Sequence, residues 1–196
     1  PAGARRVVRC LQTAPEGPFA AMERLGFQGE YPLAWYEFED GELPVTVRLE
    51  AFSPFIPLRT QDSSIPCAVF RVGVANPGGQ SVEVSLIAVQ QNAVGYLGHG
   101  AVEGCDHVDY GGNRCTVLAR DGATVLHMTS DKGPRRPGAG DMALTVLGPA
   151  GTGSADVGHL SGLHHALAQG QAPSAPGSAG PTPAGRTLDG AVASSF

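Results

Sequence analysis

RCTVLARDGATVLHMT, residues 114–129, is where the sequence commits to β structure. Two runs of β-branched and apolar residues flank Asp121-Gly122. A two-residue Asp-Gly loop supplies positive φ at both positions, the type I′ geometry whose twist matches paired antiparallel strands. The same alternation returns in PVTVRLEAF, residues 44–52, where Val45, Val47, Leu49 and Ala51 fall on one face and Thr46, Arg48 and Glu50 on the other. Pro44 opens that strand, where a missing N–H costs least.

Around it lies the stretch Gly29–Phe70, GEYPLAWYEFEDGELPVTVRLEAFSPFIPLRTQDSSIPCAVF, which holds the one Trp of the chain. Tyr31 to Phe38 predicts an aromatic-rich strand on a half-buried surface, and Asp40-Gly41 a turn. Pro54, Pro57 and Pro66 exclude a regular strand or helix between them and predict an ordered loop held by Phe55, Ile56 and Leu58. CAVFRVGVAN and SVEVSLIAVQQN, on either side of Asn76-Pro77-Gly78-Gly79, predict a hairpin. DMALTVLG and TLDGAVASSF add strands, and RVVRCLQ a short one. Residues 13–27 predict an irregular connection with a helical hint in PFAAMERLG, and residues 92–112 and 131–140 Gly-rich loops.

Eight to nine strands, hairpin connections and no strand–helix alternation predict an all-β, antiparallel β-sandwich with long irregular loops. The expected organisation is a lead-in over 1–28, the sandwich over 29–150, a flexible Gly/Pro/Ser/Ala-rich loop over 151–185 and a last strand of the same sandwich over 186–196. SGLHHALAQG allows one or two helical turns within that loop.

Composition narrows the function classes. Twenty-eight Gly and 16 Pro in 196 residues favour turns over long helices. A net charge of −5 gives no reason to expect nucleic acid or an anionic membrane surface as partner. No apolar run approaches the length of a membrane-spanning helix. PAGARRVVRCLQ has neither the apolar run nor the cleavage site of a signal peptide, which leans toward a cytoplasmic setting. Four cysteines make no disulfide framework in a chain this long, and Cys10 and Cys67, in apolar strand-like runs, are expected to act as small core hydrophobes.

The chemistry-bearing candidates each meet a plain alternative. GPAGTGS, residues 148–154, has a P-loop outline, but Ser154 stands where the phosphate-binding Lys belongs. His99, Cys105, His107 and Cys115 form H-x5-C-x-H-x7-C, which matches no standard zinc knuckle, although Cys105 and His107 would share a face on a strand. His164-His165 is expected to be a solvated pair. Glu37 and Glu39 share a strand face near Trp35 and Tyr36 and could form a glycosidase's carboxylate pair; a solvated face is the expected reading. Asp62, beside Ser63 and Ser64, is expected to close an Asx-type turn. No nucleophile elbow links a Ser to the histidines. No catalytic, cofactor-binding or metal-binding residue is therefore assigned, and no cofactor is expected.

GEYPLAWYEFED, LPVTVRLEAFSPFIPL and DSSIPCAVF, continued by VANPGGQSVEVSLIAVQQNAVGY, GGNR, MALTVLGP and TLDGAVASSF, resemble the N-terminal domain of glycoside hydrolase family 116. That family comprises bacterial β-glucosidases and non-lysosomal glucosylceramidases, or bile-acid β-glucosidases. The resemblance implies a β-sandwich, consistent with the strand count. It further implies a nucleophilic Glu and an acid/base Asp in a separate C-terminal (α/α)6 domain that acts on a glucoside or glucosylceramide; nothing in these residues resembles that domain. It also implies sandwich strands beyond both ends of the sequence, so the sandwich is expected to be incomplete, a fragment. The competing expectation is a carbohydrate-binding or interaction module with no catalytic partner, using Tyr31, Trp35 and Tyr36 as a sugar platform.

Overall fold

A computed structural model describes residues 5–148 and 151–196. The chain divides into two compact units, one ending at Val82 and the other beginning at Glu83. The described residues form eleven strands and two short helices, and every sheet is antiparallel.

The first unit is a meander of four strands, β1 (Arg24–Glu30), β2 (Leu33–Glu39), β3 (Thr46–Phe52) and β4 (Val69–Ala75), paired in chain order. Its register stacks Leu25, Phe38, Val47 and Val74 in one row across the sheet. The next same-face rows are Phe27, Tyr36, Leu49 and Val72, then Gly29, Ala34, Ala51 and Phe70. This apolar face is buried at Phe38 and Val47 but open at Phe27 and Phe70. The segment before β1 is tied to the β2–β3 turn by Arg9, whose Nε donates to Asp40 at 2.7 Å. Asp40 in turn accepts the Glu42 N–H at 2.9 Å, which fixes the turn.

Four expectations for this unit change. RVVRCLQ forms only an isolated bridge, Cys10 to Ala21, because no strand lies alongside to extend it. The helical hint in PFAAMERLG gives way to isolated bridges at Phe19 and Ala21 and then to the start of β1, whose ladder with β2 outweighs local propensity. Phe55, Ile56 and Leu58 stand in solvent; the loop is held instead by α1 (Thr60–Ser63) and by the Ser63 hydroxyl, which bonds both the N–H and C=O of Ile56 at 2.9 Å. Cys67 is exposed on the coil before β4 and is no core residue.

The second unit is a sandwich. One sheet runs β10 (Gly177–Ala179), β6 (Asn113–Arg120), β7 (Ala123–Ser130), β8 (Met142–Leu147); the other runs β5 (Ser85–Gln91), β11 (Asp189–Ser195), β9 (Gly151–Ser154). Asp121 and Gly122 both have positive φ, 49° and 77°, as the type I′ turn between β6 and β7 requires. Cys115, Leu126 and Met128 from the first sheet meet Val192 and Ala155 in a core flanked by Val117, Leu144 and Val146. The sheets approach closely where glycine replaces a side chain. A Cβ on Gly190 would fall 2.5 Å from Leu126 Cδ2, and one on Gly151 2.6 Å from Thr124 Oγ1.

The hairpin expected at Asn76–Gly79 does not form. β4 pairs with β3, and β5 pairs with β11. The stretch 151–185, read from composition as a flexible loop, carries β9, β10 and α2 (Leu160–Ala168), which buries Leu163. In β9 the neighbours are too close for larger side chains: a Cβ on Gly151 would lie 2.6 Å from Thr124 Oγ1 and one on Gly153 3.1 Å from Val117 Cγ1.

Candidate functional site

The carboxylates of β2 lie on the polar face of the first sheet. Glu37 meets its cross-strand partner Arg48 at 3.1 Å, and Glu39 pairs with Arg24 opposite it. Between them in kind is Glu50, which accepts from Arg71 at 2.9 Å and from the Trp35 indole N–H at 3.1 Å. A glycosidase pair needs one carboxyl group sheltered enough to stay protonated and an open face for the sugar. Here each carboxylate has an arginine on it, Glu37 and Glu39 at an exposed surface and Glu50 half-buried. Exposed pairs of this kind contribute under about 1 kcal/mol each; they favour one register more than they add stability.

Asp62 accepts from Arg59 Nε at 2.8 Å instead of closing an Asx turn. Ser63 and Ser64 bond backbone groups of their own loop. Trp35 and Tyr36 project from opposite faces of β2, so they do not form one sugar platform, and Tyr31 stands edge-on to Phe55 at 5.3 Å.

The His and Cys candidates separate. His107 Nδ1 accepts the Asp109 N–H at 3.1 Å, so its Nε2 carries the proton and donates to the backbone carbonyl of His99 at 2.8 Å. His99 thus contributes a carbonyl to His107, not its ring. Burial and the Asp189 carboxylate push the Cys105 thiol up to about 11. Burial in the sandwich core pushes Cys115 up to about 11 as well. Among the described residues no group of three or more His, Cys, Asp or Glu is placed to hold a metal ion. His164 and His165 are successive residues of α2, half-buried and exposed respectively. In the P-loop-like string, Pro149 and Ala150 lie outside the described residues, and Gly151–Ser154 is strand β9.

The second unit also has a concave feature that none of these side chains lines. Three connections gather there: residues 92–112, residues 131–141 and residues 180–188. Glycine makes each meeting possible. Gly95 donates to the Gly138 carbonyl at 2.8 Å, a Cβ on Gly111 would lie 3.0 Å from Ala184 Cα, and one on Gly112 would lie 1.8 Å from Asp131 Oδ1. Between the connections is a cleft of about 600 Å³ lined by Val108, Asp131, Lys132, Arg136 and Thr182. It shares Val108, Lys132 and Arg136 with a neighbouring hollow of about 330 Å³.

Residues 7–196 match the family model described as beta-glucosidase 2, glycosyl-hydrolase family 116 N-term. The chain belongs to the N-terminal domain family of glycosyl-hydrolase family 116. Membership spans both units, including the loop cluster, and accords with the all-β sandwich. For this family 116 domain, the sequence signal that marks the cleft is DKGPRRPGAG: cations among Gly and Pro between two strands. Only the fold shows that it faces the Gly-rich run after β5. No described helix is long and apolar enough to cross a membrane.

Proposed function

We propose that this family 116 domain is the non-catalytic support of a retaining β-glucosidase or glucosylceramidase-like hydrolase whose catalytic pair lies in a separate C-terminal (α/α)6 domain. The observation that carries this reading is the pairing of Glu37, Glu39 and Glu50 with arginines across the ladder, which leaves that face without an acid/base couple. The parent would cleave a terminal β-glucosyl bond through a covalent glycosyl-enzyme intermediate formed on the other domain.

The apolar face of the first unit supplies a docking surface for that partner. Phe27 is 61% exposed and Phe70 63%, on either side of a floor of small residues, Gly29, Ala34 and Ala51. Burying the exposed part of each ring is worth about 1–2 kcal/mol, a standing incentive for a partner surface. The expected result is no turnover of an aryl β-glucoside by this chain. Phe27→Asp and Phe70→Asp are expected to weaken its association with the catalytic domain supplied in trans. Turnover abolished by Glu37→Gln or Asp62→Asn would overturn the reading.

A further inference from the structure

We propose that the loop-cluster cleft of the second unit binds a hydroxylated carboxylate of sugar size, such as a hexuronate. The cleft volume of about 600 Å³ falls within the range of small-molecule sites. Its wall is closely packed: a Cβ on Gly111 would lie 3.0 Å from Ala184 Cα, and Gly112 and Gly95 leave room for the Asp131 and Lys132 side chains.

The charges select the ligand. Lys132 and Arg136 form no ion pair with any described residue, and the Asp131 carboxylate accepts no described hydrogen bond. Asp109, whose carboxylate accepts the Leu97 N–H at 3.1 Å, lines the neighbouring hollow and not the cleft. The charged side chains that line the cleft, Asp131, Lys132 and Arg136, sum to one positive charge, which a monoanion neutralises. Arg136 offers the planar fork that matches a carboxylate, and Lys132 a second donor. Asp131 is an acceptor beside them, suited to ligand hydroxyls and repelling a dianion. Val108, 87% exposed at the rim, presents carbon to the C–H face of a sugar.

Phosphate fits less well. Phosphate sites in Gly-rich loops use free backbone N–H groups, but the Gly111 N–H is given to Asn113 Oδ1 at 2.9 Å and the Gly112 N–H to the Thr182 carbonyl at 2.9 Å.

The test is titration of the full chain with glucuronate, glucose, acetate and inorganic phosphate, followed by calorimetry and by amide chemical shifts in the loop cluster. Glucuronate is expected to bind, with glucose and acetate each at least about tenfold weaker, the worth of one charge-assisted hydrogen bond. Arg136→Met and Lys132→Met are each expected to weaken glucuronate about tenfold. Asp131→Asn removes a like charge and is expected to strengthen acetate, narrowing the margin by which glucuronate binds more tightly. All three positions lie on an exposed or half-buried loop, and an unaltered thermal melt verifies that each variant is folded. Acetate or phosphate binding as tightly as glucuronate would reduce the site to anion attraction and overturn the proposal. So would equal affinity for glucose, an unaffected Arg136→Met, or no saturable binding of glucuronate at millimolar concentration.

Discussion

Asn113 donates from its side-chain amide to Asn92 Oδ1 at 3.3 Å, with both residues completely buried in the second unit. The pair fastens the connection after β5 to the start of β6. Asn92 Nδ2 donates to the Arg114 and Thr129 carbonyls, each at 2.9 Å, and Asn113 Nδ2 also reaches the Val94 carbonyl at 2.8 Å. Buried carbonyls that lose a donor pay the full desolvation penalty. Asn92→Leu is therefore expected to cost about 3–5 kcal/mol in urea unfolding. Asn92→Asp, although isosteric, is expected to cost at least as much, because a carboxylate cannot donate to those carbonyls.

Gly190 on β11 has no room for a methyl group. Its Cβ would fall 2.5 and 2.7 Å from the two methyls of Leu126, which is itself wholly buried. Gly190→Ala is expected to cost about 1–3 kcal/mol by overpacking, and Leu126→Ala about 2–5 kcal/mol by the cavity it leaves. The two defects compensate, since the new methyl occupies the vacated space. The double variant is expected to fall short of the sum by at least about 1 kcal/mol, measured as a double-mutant cycle in denaturant.

The strands legible in the sequence are those with long alternating runs. β3, β6 and β7 carry period-2 apolar faces, and the Asp121-Gly122 turn carries its own backbone requirement. β9 left no such trace, because Gly151 and Gly153 are set by neighbours across the ladder and across the sandwich, which local sequence does not contain, and β10, three residues long, is too short to show a period. The partner of β5 was equally hidden: strand pairing between residues near 88 and 192 is a long-range choice, and the nearer β4 offered a plausible hairpin. The cleft suffers from the same non-locality. Its cations sit in one loop, whereas the wall that makes them a site comes from two others.

The four free cysteines separate by environment. Cys67 is exposed, whereas Cys115 is wholly buried and both Cys105 and Cys115 are pushed up to about 11 by burial. At pH 8 roughly one in a thousand of the latter thiols is ionised, so a disulfide reagent is expected to label Cys67 quickly, the half-buried Cys105 more slowly, and Cys115 only on unfolding. Because these folded-state values lie above the ordinary 9.0, the linked stability is intact below about pH 9 and drains away toward pH 11. Rapid labelling of Cys115 in the native chain at pH 8 would contradict the core assignment.

Arg9 and Asp40 give the first unit the opposite dependence on pH. The Asp40 side chain is 1% exposed and that of Arg9 15%, with Nε to Oδ2 at 2.7 Å. The guanidinium hydrogen bond holds Asp40 below its ordinary 3.8, against the opposing effect of burial. A depressed carboxylate value stabilises the fold above about pH 4 and loses that contribution as pH falls through the folded value. Arg9→Met is expected to cost about 2 kcal/mol at pH 7, the loss of a hydrogen bond between charged groups. Asp40→Asn is expected to be less stable than the parent at pH 7, with the gap narrowing below pH 4 as the parent's carboxylate becomes protonated. Trp35, the one tryptophan of the chain, lies in this unit, so its fluorescence in denaturant at pH 7, 5 and 3 reads the change directly. A gap between parent and Asp40→Asn that stays constant from pH 7 to 3 would show that the carboxylate's charge is not what Arg9 holds.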